Sequence, residues 1–101
     1  MFDKLMQAQQ RAEEIKQRLD HITVSGEAEG GKIKVSATAN KSITSVEIDE
    51  EFLKAADKEE LEELLVIAIN KALDKAENVS QSEMQAATKD MFGGLGNIFG
   101  Q

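Results

Sequence analysis

Residues 22–39 read ITVSGEAEGGKIKVSATA, and the prediction of the fold starts from this pattern. Apolar and small residues alternate with polar ones on both sides of a glycine pair, at Ile22, Val24, Gly26, Ala28, Ile33, Val35, Ala37 and Ala39. Alternation of this kind is typical of strands with one buried face, and the glycine pair Gly30-Gly31 between the two runs predicts a β-hairpin. A second short turn at residues 40–41 precedes a run of β-branched residues that predicts a third strand, Ile43, Val46 and Ile48. The middle of the chain is therefore predicted to be a small antiparallel meander.

The segment before the meander has the pattern of a helix. From Asp3 to Asp20 the apolar residues recur at alternating spacings of three and four, at Leu5, Ala8, Ala12, Ile15 and Leu19. This spacing places them in one narrow stripe along a helix, and the intervening Gln, Glu, Lys and Arg residues are good helix formers. We therefore expect a first helix with a narrow apolar seam.

A second, longer helix is expected after a connector that contains Phe52. Asp57 and Glu60 have the spacing of a capping box, so this helix should begin at Lys58. Its apolar face is made of Leu61, Leu64, Leu65, Ala68, Ala72, Leu73, Ala76 and Val79, and it continues through Met84, Ala87 and Met91. Polar residues near Asn78 leave open a break in the middle. Without a break, roughly 33 residues make a rod of about 50 Å.

A rod of that length has to overhang its own domain, because a compact domain of about 100 residues has a radius of gyration of only about 13 Å. Hydrophobic residues make up 41% of the chain, and many of them are alanine. Small domains with thin cores commonly gain stability by oligomerising. We therefore expect a homodimer, formed by helix against helix, by pairing of exposed sheet edges, or by both.

Composition limits the class of protein. The chain has 101 residues and no Cys, which excludes disulfides, thiolate nucleophiles and Cys-ligated metals and fits a reducing cytoplasm. The N-terminus lacks the apolar run of a signal peptide, and no apolar segment is long enough to span a membrane. We expect a cytoplasmic protein with no membrane partner. It should consist of one domain over residues 1–92 and a glycine-rich flexible tail over residues 93–101.

Residues that could support catalysis are sparse. His21, the only histidine, lies where the first helix meets the first strand, and a cation is favourable near a helix C-terminus. It has no second His and no Cys to complete a metal site or a catalytic triad. The Gly30-Gly31 pair is not followed by a phosphate-binding motif. We therefore expect no enzymatic activity, no metal or other cofactor, and no small-molecule substrate.

The negative charge is concentrated in one segment. The chain carries 12 Lys and Arg against 19 Asp and Glu, a formal net charge of −7. Residues 47–63 hold nine acids and two lysines, so the other residues are balanced, with ten basic and ten acidic side chains. The acids lack the spacing of a calcium loop and suit the solvated start of a helix. The acidity is therefore predicted to be local, which leaves room for weak, salt-sensitive binding of DNA on another face.

The first helix has four basic residues beside its apolar seam. Lys4, Arg11 and Arg18 are seven residues apart and form one row of about 21 Å, while Lys16 lies on the opposite flank. Such a row could follow consecutive phosphates of DNA, because cations of this kind displace condensed counterions. Residues that flank a seam can equally set the pairing of two helices. The spacing alone favours neither role.

A family resemblance rests on five strings, LMQAQQ at residues 5–10, VSGE at 24–27, GKIKV at 31–35, VEID at 46–49 and LLVIAINKA at 64–72. In their order and spacing, and with the length of the chain, they resemble the YbaB/EbfC family of bacterial nucleoid-associated proteins. The resemblance covers nearly the whole chain. It implies an α+β fold of the order α-β-β-β-α, with a three-stranded antiparallel sheet and two long helices, in a homodimer shaped like tweezers.

The same resemblance implies binding of double-stranded DNA with little sequence preference, in the nucleoid. The family's DNA binding is attributed to helical protrusions, and the matching positions are Lys4, Arg11, Lys16 and Arg18. Lys75 and Lys89 rank lower, because acidic residues lie beside them.

An alternative reading is a dimeric protein-interaction module without direct DNA binding. In that reading the basic row pairs helices, and the acidic segment or the glycine-rich tail engages other proteins.

Overall fold

The computed structural model describes the backbone of residues 2–98 and the side chains of residues 3–89. Its elements, in chain order, are α1 (Phe2–Asp20), β1 (Thr23–Ala28), β2 (Ile33–Thr38), β3 (Ile43–Ile48), α2 (Glu50–Ala55) and α3 (Lys58–Ile98). The strands form one antiparallel sheet in the order β1-β2-β3. The predicted α+β fold, with three strands between two long helices, is confirmed.

The glycine pair makes the turn of the first hairpin. Ala28 pairs with Ile33, so the loop contains residues 29–32. Gly30 and Gly31 have φ angles of 63° and 91°, in the left-handed region that glycine adopts without a steric penalty. The Lys32 N–H donates to the Glu29 carbonyl over 3.2 Å and closes the turn.

The core lies between α3 and one face of the sheet. The alternating residues of β2 that point to α3 are fully buried, and Ile33 and Val35 are the largest side chains buried to this extent. The helix faces them with a stripe of small residues at every fourth position, Ala68, Ala72 and Ala76, all without solvent exposure. A stripe of alanines lets the helix backbone come close to the sheet.

Gly26 lies where α3 passes over β1. A Cβ atom at this position would overlap the Ala68 carbonyl oxygen and the Ala72 amide nitrogen, and would lie 2.8 Å from the Lys71 Cβ. Two of these obstacles are backbone atoms of a helix, which cannot rotate away as a side chain can. Only glycine fits here, so the alternating position that the sequence marks as core-facing is a contact between two backbones.

The connector and the long helix differ in part from expectation. Where the sequence predicts a plain connector, the chain forms α2, whose start is capped by the Asp49 carboxylate accepting from the Phe52 N–H over 3.0 Å. Acidic residues in the first turn favour this short helix through its dipole. Helix α3 begins at Lys58 as predicted and is continuous through Asn78, so the break left open by the sequence is absent.

The described part of the glycine-rich segment, residues 93–98, is helical. Helix α3 extends to Ile98 and so includes the start of the segment 93–101, for which the sequence predicts a flexible tail. Residues 99–101 lie outside the described residues. The division into a domain over residues 1–92 and a flexible tail stays a prediction.

The molecule is elongated. Its radius of gyration is 19.4 Å and its extents are 64 × 28 × 17 Å, whereas a compact domain of this size has a radius of about 13 Å. Helix α1 packs against α3, and most of its residues are solvent-exposed. We call α1 together with residues 78–98 of α3 the helical arm. Across residues 2–98, no helix is long and apolar enough to cross a membrane.

We predict that Gly26→Ala lowers the free energy of unfolding by about 3 kcal/mol, because the new methyl group forces α3 away from the sheet. Urea denaturation followed by circular dichroism measures this loss. Ser25→Ala, next to it on the same strand and half-buried, is the matched control and should change stability little. Equal stability of Gly26→Ala and the wild type would show that the helix is not held against β1 in solution.

Candidate nucleic-acid interface

The turn between β2 and β3 holds the end of α1. The side-chain amide of Asn40 donates to the Lys16 carbonyl over 2.8 Å and to the Asp20 carboxylate. The Ala39 N–H donates to the Leu19 carbonyl over 3.2 Å and also to the Ile22 carbonyl. Leu19 lies in the last turn of α1, where carbonyls have no partner within the helix, so the turn helps to satisfy its carbonyl and fixes the direction in which α1 leaves the sheet.

The same turn contacts α3. Lys41 has a φ of 68°, a conformation that glycine adopts more easily, and its ammonium group forms an ion pair with the Glu77 carboxylate. The hydrogen bond from Lys41 lowers the pKa of Glu77 below its ordinary value, aided by a hydrogen bond from Gln81 and by the positive charge of Lys41. The turn therefore joins the bases of both helices of the arm.

The four predicted DNA-binding residues, Lys4, Arg11, Lys16 and Arg18, are all exposed on α1. Arg11 and Arg18 line an open cleft of about 400 Å³ between α1 and α3. The other residues of this cleft are Glu14, Ile15, Glu83, Ala86 and Ala87. Lys4 and Lys16 do not line it. Lys75 and Lys89 are exposed on α3.

One of the four, Arg18, forms an ion pair within the chain. The Arg18 Nε lies 3.2 Å from a carboxylate oxygen of Glu83 on α3, and the two side chains are 71% and 25% exposed. Arg18 thus pairs the two helices, which is one of the two roles that the spacing leaves open. Within residues 3–89, no ion pair is found for Lys4, Arg11 or Lys16.

Glu83 and the turn residues are missing from the predicted site. Glu83 has no motif around it, and its position opposite Arg18 depends on how α1 packs along α3. The signal in the sequence was limited to the basic row itself, which allows helix pairing as one of two roles and does not identify a partner residue.

The acidic segment lies at the other end of the sheet. Residue 48 pairs with residue 33 next to the first hairpin, where the Asp49 N–H donates to the Lys32 carbonyl over 2.7 Å. The arm begins at the opposite end of β3, at the turn that contains Asn40. A strand of six residues separates the two ends by roughly 20 Å. The acidity is therefore local, as the sequence predicts.

The fold and the surface together define a small α+β protein that presents cations on a projecting helical arm, which is chemistry suited to a polyanion. Residues 1–91 match the model of the YbaB/EbfC DNA-binding family. The chain belongs to this family of nucleoid-associated DNA-binding proteins, which is not a family of enzymes. The predicted resemblance is confirmed.

Several relatives agree with this assignment. The chain is 37% identical over 102 residues to a nucleoid-associated protein of Flavobacterium johnsoniae, covering 98% of this chain and 94% of the relative. It is 38% identical over 104 residues to one of Bradyrhizobium diazoefficiens, covering 100% and 94%. The crystal structure of an uncharacterised protein of Helicobacter pylori has the same fold, with a TM-score of 0.73, 17% identity, and coverage of 86% and 92%.

We predict that Lys41→Gln raises the pKa of Glu77 towards its ordinary value of 4.5, because the main hydrogen bond and the neighbouring charge are lost. A carboxylate whose pKa is lowered by folding stabilises the native state above its unfolded pKa. That contribution disappears as the pH falls through the folded pKa. The stability difference between wild type and Lys41→Gln should therefore shrink in acid. Carboxyl NMR titration and urea denaturation at several pH values measure the two effects.

Lys54→Gln is the matched control for this measurement. It removes the same charge from α2, at the other end of the sheet, and should leave the pKa of Glu77 unchanged. Identical Glu77 titrations in the wild type and in Lys41→Gln would contradict the ion pair.

Proposed function

We propose that this protein is a cytoplasmic, nucleoid-associated homodimer that binds double-stranded DNA with little sequence preference and without enzymatic activity. It contacts the phosphate backbone through Lys4, Arg11, Lys16 and Arg18. The observation that carries the proposal is the exposed placement of these cations on an arm that projects from the sheet. Membership of a DNA-binding family, and relatives named nucleoid-associated proteins, support it.

The chemistry of the arm favours the DNA backbone over base edges. Lysine and arginine side chains on long flexible stems contact phosphates, and such contacts carry no direct sequence information. Each neutralised phosphate releases counterions, so affinity falls as salt rises. Four cations per subunit, or eight per dimer, set a ceiling of roughly −7 for the slope of log K against log salt concentration.

The net charge of −7 does not prevent this binding. Charges in water are screened over about 8 Å at physiological ionic strength, and the acidic segment begins roughly 20 Å from the base of the arm. Its repulsion of DNA bound at the arm is therefore weak at physiological salt. At low ionic strength the screening length grows, and this repulsion opposes part of the attraction.

We predict that Lys4→Gln/Arg11→Gln/Lys16→Gln makes the slope of log K against log salt concentration shallower. The limit changes from about −7 to about −2, because only Arg18 of each subunit remains. Fluorescence anisotropy of a labelled duplex, measured over a series of salt concentrations, gives both slopes. Arg18 is left in place because it pairs with Glu83 and its removal could alter the arm.

The matched control is Lys32→Gln/Lys54→Gln/Lys58→Gln. It removes the same charge at the acidic end of the molecule and should keep the wild-type slope. Equal slopes for both triple variants would contradict the assigned contacts while leaving DNA binding intact. A wild type that does not bind at low salt would overturn the proposal and favour the protein-interaction module.

Homodimerisation is part of the proposal, and exposed apolar surface supports it. Strand β3 is an edge strand, and Ile43 and Val46, which lie on the sheet face that carries α3, remain 41% and 46% exposed. Leu53, Val66 and Ile67 are also exposed, at 49%, 56% and 44%. An unpaired strand edge beside apolar side chains is a surface that a second chain stabilises by covering it. A second copy of this chain is the simplest partner.

We predict that Val46→Asp shifts the dimer towards monomer, because a carboxylate at the apolar face of β3 would be buried without a partner. Ser45→Asp, on the adjacent position of the same strand and therefore on the opposite sheet face, should keep the dimer. Light scattering coupled to size-exclusion chromatography distinguishes the two. A wild type that is monomeric at micromolar concentration would refute dimerisation.

A further inference from the structure

The ion pair between Arg18 and Glu83 is a feature that the proposed function does not use. Glu83 lies on α3, is 25% exposed, and places one carboxylate oxygen 3.2 Å from the Arg18 Nε. Arg18 itself is 71% exposed and belongs to the basic row on α1. A cation assigned to DNA phosphate therefore already has an acidic partner within the same chain.

The surroundings of the pair are balanced in charge. The cleft between the helices is lined by Arg11 and Arg18 as cations and by Glu14 and Glu83 as anions, beside the apolar side chains of Ile15, Ala86 and Ala87. Removal of one carboxylate would give this part of the arm a net positive charge.

We propose that Glu83 limits the DNA affinity of the arm by competing with phosphate for Arg18. This inference rests on the proposed function. A phosphate that approaches Arg18 meets a guanidinium whose Nε already lies 3.2 Å from a carboxylate oxygen of Glu83, and it also meets the negative charge of that carboxylate. DNA binding at this position therefore requires the ion pair between Arg18 and Glu83 to weaken or to break. The free energy that this costs lowers the affinity for DNA.

The expected size of the effect follows from the exposure of Arg18. Ion pairs with exposed members are weak, so the competition corresponds to a change of about twofold to fivefold in affinity for each arm in contact. With an effect of this size, Glu83 lowers the affinity for DNA without preventing binding.

The test compares Glu83→Gln with the wild type in binding to a mixed-sequence DNA duplex at low salt. The substitution keeps the shape of the side chain and removes its charge, and we expect tighter binding by about twofold to fivefold per arm. Glu13→Gln is the matched control, because it removes the same charge from an exposed position of α1 outside the cleft. Its gain in affinity should be smaller.

A double-mutant cycle shows whether Glu83 acts through Arg18. In an Arg18→Gln background, Glu83→Gln should gain no more than Glu13→Gln does, because the competed cation is absent and only the general effect of removing a charge remains. Helix content by circular dichroism should match in all variants. Glu83→Asn, which also removes the charge, provides a second variant and should reproduce the gain.

The outcomes separate this inference from the proposed function. Tighter binding by Glu83→Gln, reduced in the Arg18→Gln background to no more than the gain from Glu13→Gln, supports it. Equal DNA binding by the wild type and Glu83→Gln overturns the inference and leaves DNA binding in place. An equal gain from Glu13→Gln also overturns it, because net charge alone would explain the effect. No binding by either protein at low salt overturns the inference and the proposed function together.

Discussion

The close approach of α3 to β1 at Gly26 is the constraint on which the rest of the structure depends. The carbonyl of Ala68 and the amide of Ala72 occupy the space where any other residue would place a Cβ atom. Because the alanine stripe of α3 adds no bulk, the helix lies close to a thin core in which, among the described residues, Ile33 and Val35 are the largest fully buried side chains. The contact also sets the line of α3 across the sheet, and hence the direction in which its C-terminal half projects.

The turn between β2 and β3 contacts both helices of the arm and holds them together. Its backbone and Asn40 hold the C-terminal end of α1, and Lys41 holds α3 through Glu77. Both helices are thus fastened at one end of the sheet, while the acidic segment begins at the other end beside Lys32. A chain with an excess of acids thereby presents its basic row on a surface remote from most of them. Charge distribution, rather than net charge, determines what this surface can bind.

Much of the fold follows from local signals. A period of two on either side of Gly30-Gly31, and apolar spacings of three and four in the flanking segments, predict the order of elements and the start of the long helix at Lys58. These signals suffice because strand and helix each expose a fixed set of positions to one face. The short helix α2 was missed because six residues are too few to show a helical period, and its start depends on the cap that Asp49 provides.

By itself, the sequence determined the three strands and the two long helices, the family resemblance, the basic row on α1 and the local position of the acids. Only the tertiary structure decided that Gly26 is a contact between backbones, that the turn at Asn40 and Lys41 braces both helices, and that Glu83 faces Arg18. The physical reason is the same in each case. These contacts join residues distant in the chain, and their geometry depends on the distance and register between packed elements, which no local pattern of residues specifies.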